Sequence, residues 1–181
     1  MSDNIKIILN FWFKEHKPKD WFKKNKKFDN EIKDRFIKLI QCALKDALSD
    51  WEQSREGSLA LILLLDQFTR NVFRGQKASF SGDCKALEIS LNCAKKDYLN
   101  LSQPEWCQFM LLPMMHSEDL NIQNKSLPLF KKHTGDNVYN YAVKHHQIIS
   151  RFGRFPHRNI ILKRESTLKE IKFLETPGSS F

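Results

Sequence analysis

Apolar residues recur at helical spacing along almost the whole chain. Ile32, Phe36, Leu39, Ile40, Ala43, Leu44, Ala47, Leu48 and Trp51 trace one face of a long helix that starts near Asp29. No segment alternates apolar and polar at period two, so the pattern predicts an all-α fold. The spacing places about eight helices, over 3–13, 29–51, 57–74, 83–98, 104–112, 117–133, 136–151 and 167–175. Pro18, Gly57, Gly75, Gly82, Pro104, Pro113, Gly135, Gly153 and Pro156 mark the breaks. Short connections favour antiparallel neighbours, either in a compact bundle or in stacked helical hairpins. A length of 181 residues fits a single helical domain over 1–181, with 176–181 read as a frayed tail.

Three apolar runs lead directly into dense polar clusters, and these carry the candidate chemistry. The first, Leu59–Leu65, is apolar all round and should be buried, yet it continues as Asp66-Gln67-Phe68-Thr69-Arg70-Asn71-Val72-Phe73-Arg74-Gly75. Asp66 and Arg70 stand four apart and can meet on one helical face. A carboxylate so near a core must be paired, hydrogen-bonded or protonated. The second run, Phe109–Met115, is broken by Pro113 and ends in His116-Ser117-Glu118-Asp119. Ser117 is a candidate N-cap, with the two acids favourably placed at the start of the next helix. That assignment leaves His116 without a role, and makes it the best-placed proton carrier or ligand. The third run, Ile148-Ile149-Ser150, follows His145 and His146 and enters Arg151-Phe152-Gly153-Arg154-Phe155-Pro156-His157-Arg158-Asn159. Gly153 and Pro156 predict an irregular turn whose backbone N–H groups are open to a ligand. Its flanking phenylalanines would anchor the arginines to the core, and arginine is suited to carboxylate or phosphate.

Composition changes the picture only at the ends of the chain. The net charge of +9 is unevenly spread: residues 14–38 hold ten basic against five acidic side chains, 144–172 eight against two, and 50–120 seven against ten. Basic and aromatic residues interleave between Lys14 and Phe28, a pattern that can contact phosphates. The simpler reading lays lysine stems over packed rings with their ammonium groups in water. Cys42, Cys84, Cys93 and Cys107 show no metal-binding spacing and read as reduced, core-filling thiols of a cytoplasmic protein. The longest apolar run has seven residues, against the roughly twenty that span a bilayer, so no membrane segment is expected.

The three clusters also carry a resemblance. The segments Leu64–Gly75, Pro113–Asp119 and Arg151–Asn159 resemble a bacterial family known only as a domain of unknown function, whose members look like tetratricopeptide-type helical proteins. The likeness runs from Phe11 to Thr167. It implies stacked antiparallel helices, and its motifs match at Asp66, Gln67, Arg70, Asn71, Arg74, His116, Ser117, Glu118, Asp119, His145, Gly153, Arg154, Pro156, His157, Arg158 and Asn159. It brings no established activity. Thr69 stands where the family pattern expects proline, Gln147 where an acid is common, and Lys163 where glycine usually precedes Arg164.

These features set three expectations. In the first, the clusters converge on a pocket for a small anionic or carboxylate-bearing ligand, or a peptide terminus. Asp66, Gln67, Arg70, Asn71, Arg74, Arg154, Arg158 and Asn159 are its candidate ligand-binding residues, with Asp66 and Glu118 orienting the arginines. Counting Asp66, Glu118 and Asp119 against Arg70, Arg74, Arg151, Arg154 and Arg158 leaves two arginines over, which would suit an anion. In the second, His116 or His157 acts as general base beside Glu118 or Asp119 in a hydrolase or metal-dependent enzyme. No nucleophile motif, phosphate-cradling loop or HExxH spacing accompanies it, and no resident cofactor or metal is assigned. In the third, the polar clusters are structural and the helices present a groove to a protein, with nucleic acid the less favoured partner.

Overall fold

A computed structural model describes residues 3–179, and among them every regular element is helical. Eleven α-helical segments replace the expected eight, because two short helices form where the sequence pattern indicates only turns and a π-helical stretch divides the helix expected over 57–74. In order they are α1 (Asp3–Asn10), α2 (Pro18–Trp21), α3 (Lys26–Leu44), α4 (Arg55–Ile62), α5 (Thr69–Val72), α6 (Asp83–Lys95), α7 (Pro104–Met115), α8 (Leu120–His133), α9 (Asp136–Phe152), α10 (Asn159–Leu162) and α11 (Leu168–Leu174).

Local chemistry moves several expected boundaries. The Asn25 side chain accepts from the backbone of Lys27 and Phe28, so α3 begins before Asp29. It ends at Leu44 and not at Trp51, because the chain turns through a left-handed Asp46 (φ 60°) into a 3-10 turn over Ser49–Gln53. Ser54 caps α4, so Gly57 lies inside a helix and does not break one. A Cβ there would overlap the Trp51 carbonyl, and this close approach explains the glycine. Pro113 likewise lies within α7, which continues to Met115. Asp119, and not Ser117, caps α8, accepting from Asn121 N–H at 2.7 Å. At the C-terminus, the Thr176 hydroxyl donates to the Phe173 carbonyl and that of buried Ser179 to the Leu174 carbonyl. Residues 180–181 of the expected tail lie outside the described residues.

The core forms around the most apolar stretch of the sequence. α4 continues without a break through a π-helical stretch, Leu63–Phe68, into α5, and Leu59–Leu65 is buried throughout. α1, α6 and α7 pack on α4, while α3 packs on the π stretch and α5. Trp12, Trp21, Phe28, Phe68 and Phe109 interlock beside it, so the aromatic residues of the N-terminal basic segment, Phe22 apart, are largely core, while its lysines face water. From α6 onward each long helix packs on the next, α6 on α7, α7 on α8 and α8 on α9. A second small cluster of Ile148, Ile149 and Phe155, with Phe152 and Phe173, ties the Arg151–Asn159 segment and α11 to the end of α9. Cys93 and Cys107 are buried and Cys42 is half-buried, but Cys84 is exposed and fills no core space. No helix of the described residues is long and apolar enough to cross a membrane.

Candidate functional site

The π-helical stretch places the key carboxylate. Asp66 lies within it, fully buried, at the point where the apolar run ends. Such a stretch widens the helical turn, a departure often found at functional positions. Gly82 lets the start of α6 approach here, since a Cβ would overlap the Leu65 carbonyl. That approach delivers Asp83, the first residue of α6.

Around Asp66 the three clusters meet. His116 Nδ1 lies 2.7 Å from Asp66 Oδ1, and Gln67 Nε2 donates to Oδ2 at 2.5 Å. Arg70 Nη1 stands 3.3 Å from Asp66 Oδ1, and the same guanidinium forms a fork onto Asp83 at 2.9 and 3.1 Å. Arg158, from the third cluster, donates to the His116 carbonyl at 3.0 Å and reaches Asp83 at 3.5 Å. Its guanidinium carbon lies 4.9 Å from the Phe80 ring centroid and 4.6 Å from that of Phe155. Burial alone would raise the Asp66 carboxyl, but the Arg70 charge, with the contacts from His116 and Gln67, holds it well below the usual carboxylate range. Asp66 is therefore ionised, His116 donates through Nδ1–H, and Nε2 is its remaining ring nitrogen.

Arg158 is the least compensated member of this cluster. It is 7% exposed, and its Nε has no hydrogen-bond partner among the described residues. Burial first, then the neighbouring Arg70 charge, lowers its guanidinium to about 10. A buried histidine, His145, and a half-buried one, His157, complete the wall. His145 donates to the Tyr141 carbonyl at 2.8 Å, and its ring centroid lies 6.2 Å from that of His116. Burial and the adjacent His116 push it down to about 3. His157 packs on Phe155 at 5.6 Å, and burial and Arg158 bring it to about 4. Both are neutral near pH 7.

The remaining predicted residues are drawn elsewhere. Arg74 and Asn71 turn away to Asp29 of α3, at 2.8–2.9 Å. Arg154 forks onto Glu170 at 2.7 and 2.9 Å, and Asn159 bonds Ser166 and Arg164. Glu118 orients neither Arg70 nor Arg74. It accepts from Phe155 N–H at 2.8 Å and from the Arg164 fork at 2.7 and 3.0 Å. The turn before α10 is thus a tied 3-10 segment, Pro156–Arg158, preceded by Phe155, whose N–H already has its acceptor. Asp119 serves as a helix cap, and neither it nor Glu118 hydrogen-bonds the His116 ring. Arg151 lies outside the cluster, over Phe152 and Phe173.

The predicted surplus of two arginines is therefore corrected: Asp29, Asp83 and Glu170 supply carboxylates that a motif-based count omits. Asp83 and Asp29 stand at expected helix starts, outside the three polar clusters, so a count over those clusters passes over them. Glu170 shows a capping-box signal with Thr167, but nothing local points to Arg154. Among the described residues, no group of three or more His, Cys, Asp or Glu side chains is arranged to hold a metal ion.

The comparisons with known proteins agree with this architecture. The chain is similar to the solved structure of a protein of unknown function, ATU0120 from Agrobacterium tumefaciens, at 37% identity and a TM-score of 0.92, covering 96% of this chain and 98% of that one. Comparison with curated proteins gave no match. Residues 8–178 match the profile of the bacterial proteins of unknown function DUF924, and the chain belongs to that family.

Proposed function

We propose that this protein binds a small anionic, carboxylate-bearing ligand in the cytosol, at the junction of Arg70, His116 and Arg158, on a tetratricopeptide-like frame of helical hairpins. The observation that carries the reading is Arg158 itself. It is a buried cation beside a second arginine, sharing one carboxylate with it and keeping an unpartnered Nε. Its own carboxylate contact, 3.5 Å, is long beside the 2.9 Å of Arg70 to Asp83. An added carboxylate would complete the compensation that Asp83 provides only in part. The ligand would enter past the edges of Arg70, Asp83 and His116, the side chains of the cluster that retain the most solvent access.

Thermal unfolding with succinate, acetate or phosphate tests the reading. A ligand at a hundred times its dissociation constant adds about 2.7 kcal/mol, a shift of roughly 5–10 °C for a chain of this length. Succinate is expected to give the largest shift, and Arg158→Met to remove it while the variant stays folded by circular dichroism. No shift with any of the three makes the cluster a packing network and sinks the proposal.

A second reading has its own observation, the 2.7 Å contact between His116 Nδ1 and the buried Asp66. A buried carboxylate that fixes the imidazole tautomer prepares Nε2 to accept a proton, as a general base requires. In this reading the partner is Asp66, and not the Glu118 or Asp119 that the sequence pattern offers. Water activated by His116 would hydrolyse p-nitrophenyl acetate. His116→Gln should then lower that rate at least tenfold, and an unchanged rate excludes this base.

A further inference from the structure

We infer that a cleft between α9 and α11, on the C-terminal side of the molecule, binds single-stranded RNA. The sequence places eight basic against two acidic residues between 144 and 172, and the structure sorts them. Arg154 is neutralised by Glu170, Arg164 by Glu118, and Arg158 shares Asp83. Lys144, Arg151 and Lys169 form no ion pair among the described residues, and all three are exposed. They line two adjoining hollows of about 680 and 310 Å³ that share Arg151 and Phe152.

Aromatic rings accompany the unpaired charge. The Arg151 guanidinium carbon lies 4.7 Å from the Phe152 centroid and 5.7 Å from that of Phe173, with the two rings 5.0 Å apart. Lys144 Nζ lies 5.3 Å from the centroid of Tyr141, which is 55% exposed. Tyr141, Lys144, Gln147 and Arg151 follow one another at spacings of three, three and four, on one face of α9 over about 15 Å. An acidic peptide would need only the cations. Bases also need planar surfaces on which to stack, and arginine planes and aromatic rings supply them. Exposed Gln147 adds an amide donor and acceptor within the same row. A single strand fits these features because its bases are free to leave the backbone axis. The inference is independent of the small-anion site, since none of these residues touches Asp66 or Arg158.

Fluorescence anisotropy with a labelled 12-nucleotide oligouridylate tests it on the full chain. Binding is expected at 50 mM KCl, weakening with a log–log salt slope of about −2 for three neutralised phosphates. Lys144→Glu with Lys169→Glu should weaken binding at least tenfold. Tyr141→Ala should weaken it about fivefold at an unchanged salt slope, the mark of stacking. Arg151→Gln gives a second, milder variant should the charge-reversed protein fail to fold. Lys23→Glu with Lys24→Glu, on the opposite end of the sequence, should leave affinity within twofold. The inference is overturned by absence of binding at 50 mM KCl, by an equal loss in the Lys23/Lys24 variant, or by decaglutamate displacing the RNA at matched charge.

Discussion

Arg154 and Arg158 stand four residues apart in one motif, yet their surroundings are opposite. Arg154 meets Glu170 in a two-point fork and also reaches the Glu165 carbonyl, so its charge and its donors are largely matched. Arg158 lies between two phenyl rings, shares Asp83 with Arg70 and keeps an unmatched Nε. The first arrangement closes the C-terminal helix onto the body of the protein. The second holds a buried cation against aromatic rings, beside a carboxylate it shares with Arg70. Similar motif positions thus divide into a structural clip and a candidate binding centre, and only the partners tell them apart.

The comparison can be broken most forcefully at Asp66. Asp66→Ala removes the carboxylate that meets Arg70 and His116, leaving the His116 Nδ1–H without its acceptor and Arg70 with Asp83 alone. Breaking a buried pair in this way costs about 3–5 kcal/mol, to be read from the urea midpoint. A loss below about 1 kcal/mol would show that Asp83 alone satisfies Arg70.

Acid offers a second route into the same region. His145 and His157 are lowered to about 3 and about 4, so the unfolded chain binds protons that the folded one refuses between those values and about 6.5. Stability therefore falls as pH drops through this window. Going from pH 7 to pH 5 is expected to cost on the order of 2 kcal/mol for each histidine. His145→Gln should roughly halve that loss in urea unfolding at the two pH values. A flat profile would mean that the histidine wall is open to water.

At the clip, Glu170→Gln should lower the melting temperature less than Asp66→Ala does. Glu170 is held near 2 by the Arg154 fork first and the Thr167 contacts after it. Its contribution is present above the unfolded carboxyl value and is lost only in strong acid, so the Glu170→Gln deficit should be constant from pH 7 to 5. The smallest effect, and the only stabilising one, is expected at Lys163, which adopts a left-handed conformation with φ 55°. Lys163→Gly should raise stability by up to about 1 kcal/mol, measured as an increased denaturation midpoint.

The comparison also shows what the chain discloses by itself. Helical periodicity is a local property, so the long helices and the apolar run at Leu59–Leu65 are legible directly. The meeting of Asp66 with Arg70 is legible for the same reason, since it spans one helical turn. The Lys163 departure gains its physical meaning only with the backbone, because a glycine expected in the pattern coincides with a positive φ. Boundaries shifted where a cap, such as Asn25 or Asp119, outcompeted the apolar pattern. The pairs that sort the arginines, Asp83 with Arg158, Glu118 with Arg164 and Glu170 with Arg154, join residues from separate elements of the fold. Nothing in local spacing encodes those pairings, which is why a charge count over motifs alone leaves arginines unpaired that the fold pairs.

The Arg158 Nε–H reports most directly on the proposed anion site. In a ¹H–¹⁵N spectrum of arginine side chains titrated with succinate, the Arg158 Nε–H signal is expected to shift in a saturable way, with Arg70 following and the Arg154 signal unmoved. Succinate that perturbs only Arg151, or none of these side chains, would contradict the account and return the cluster to a purely structural role.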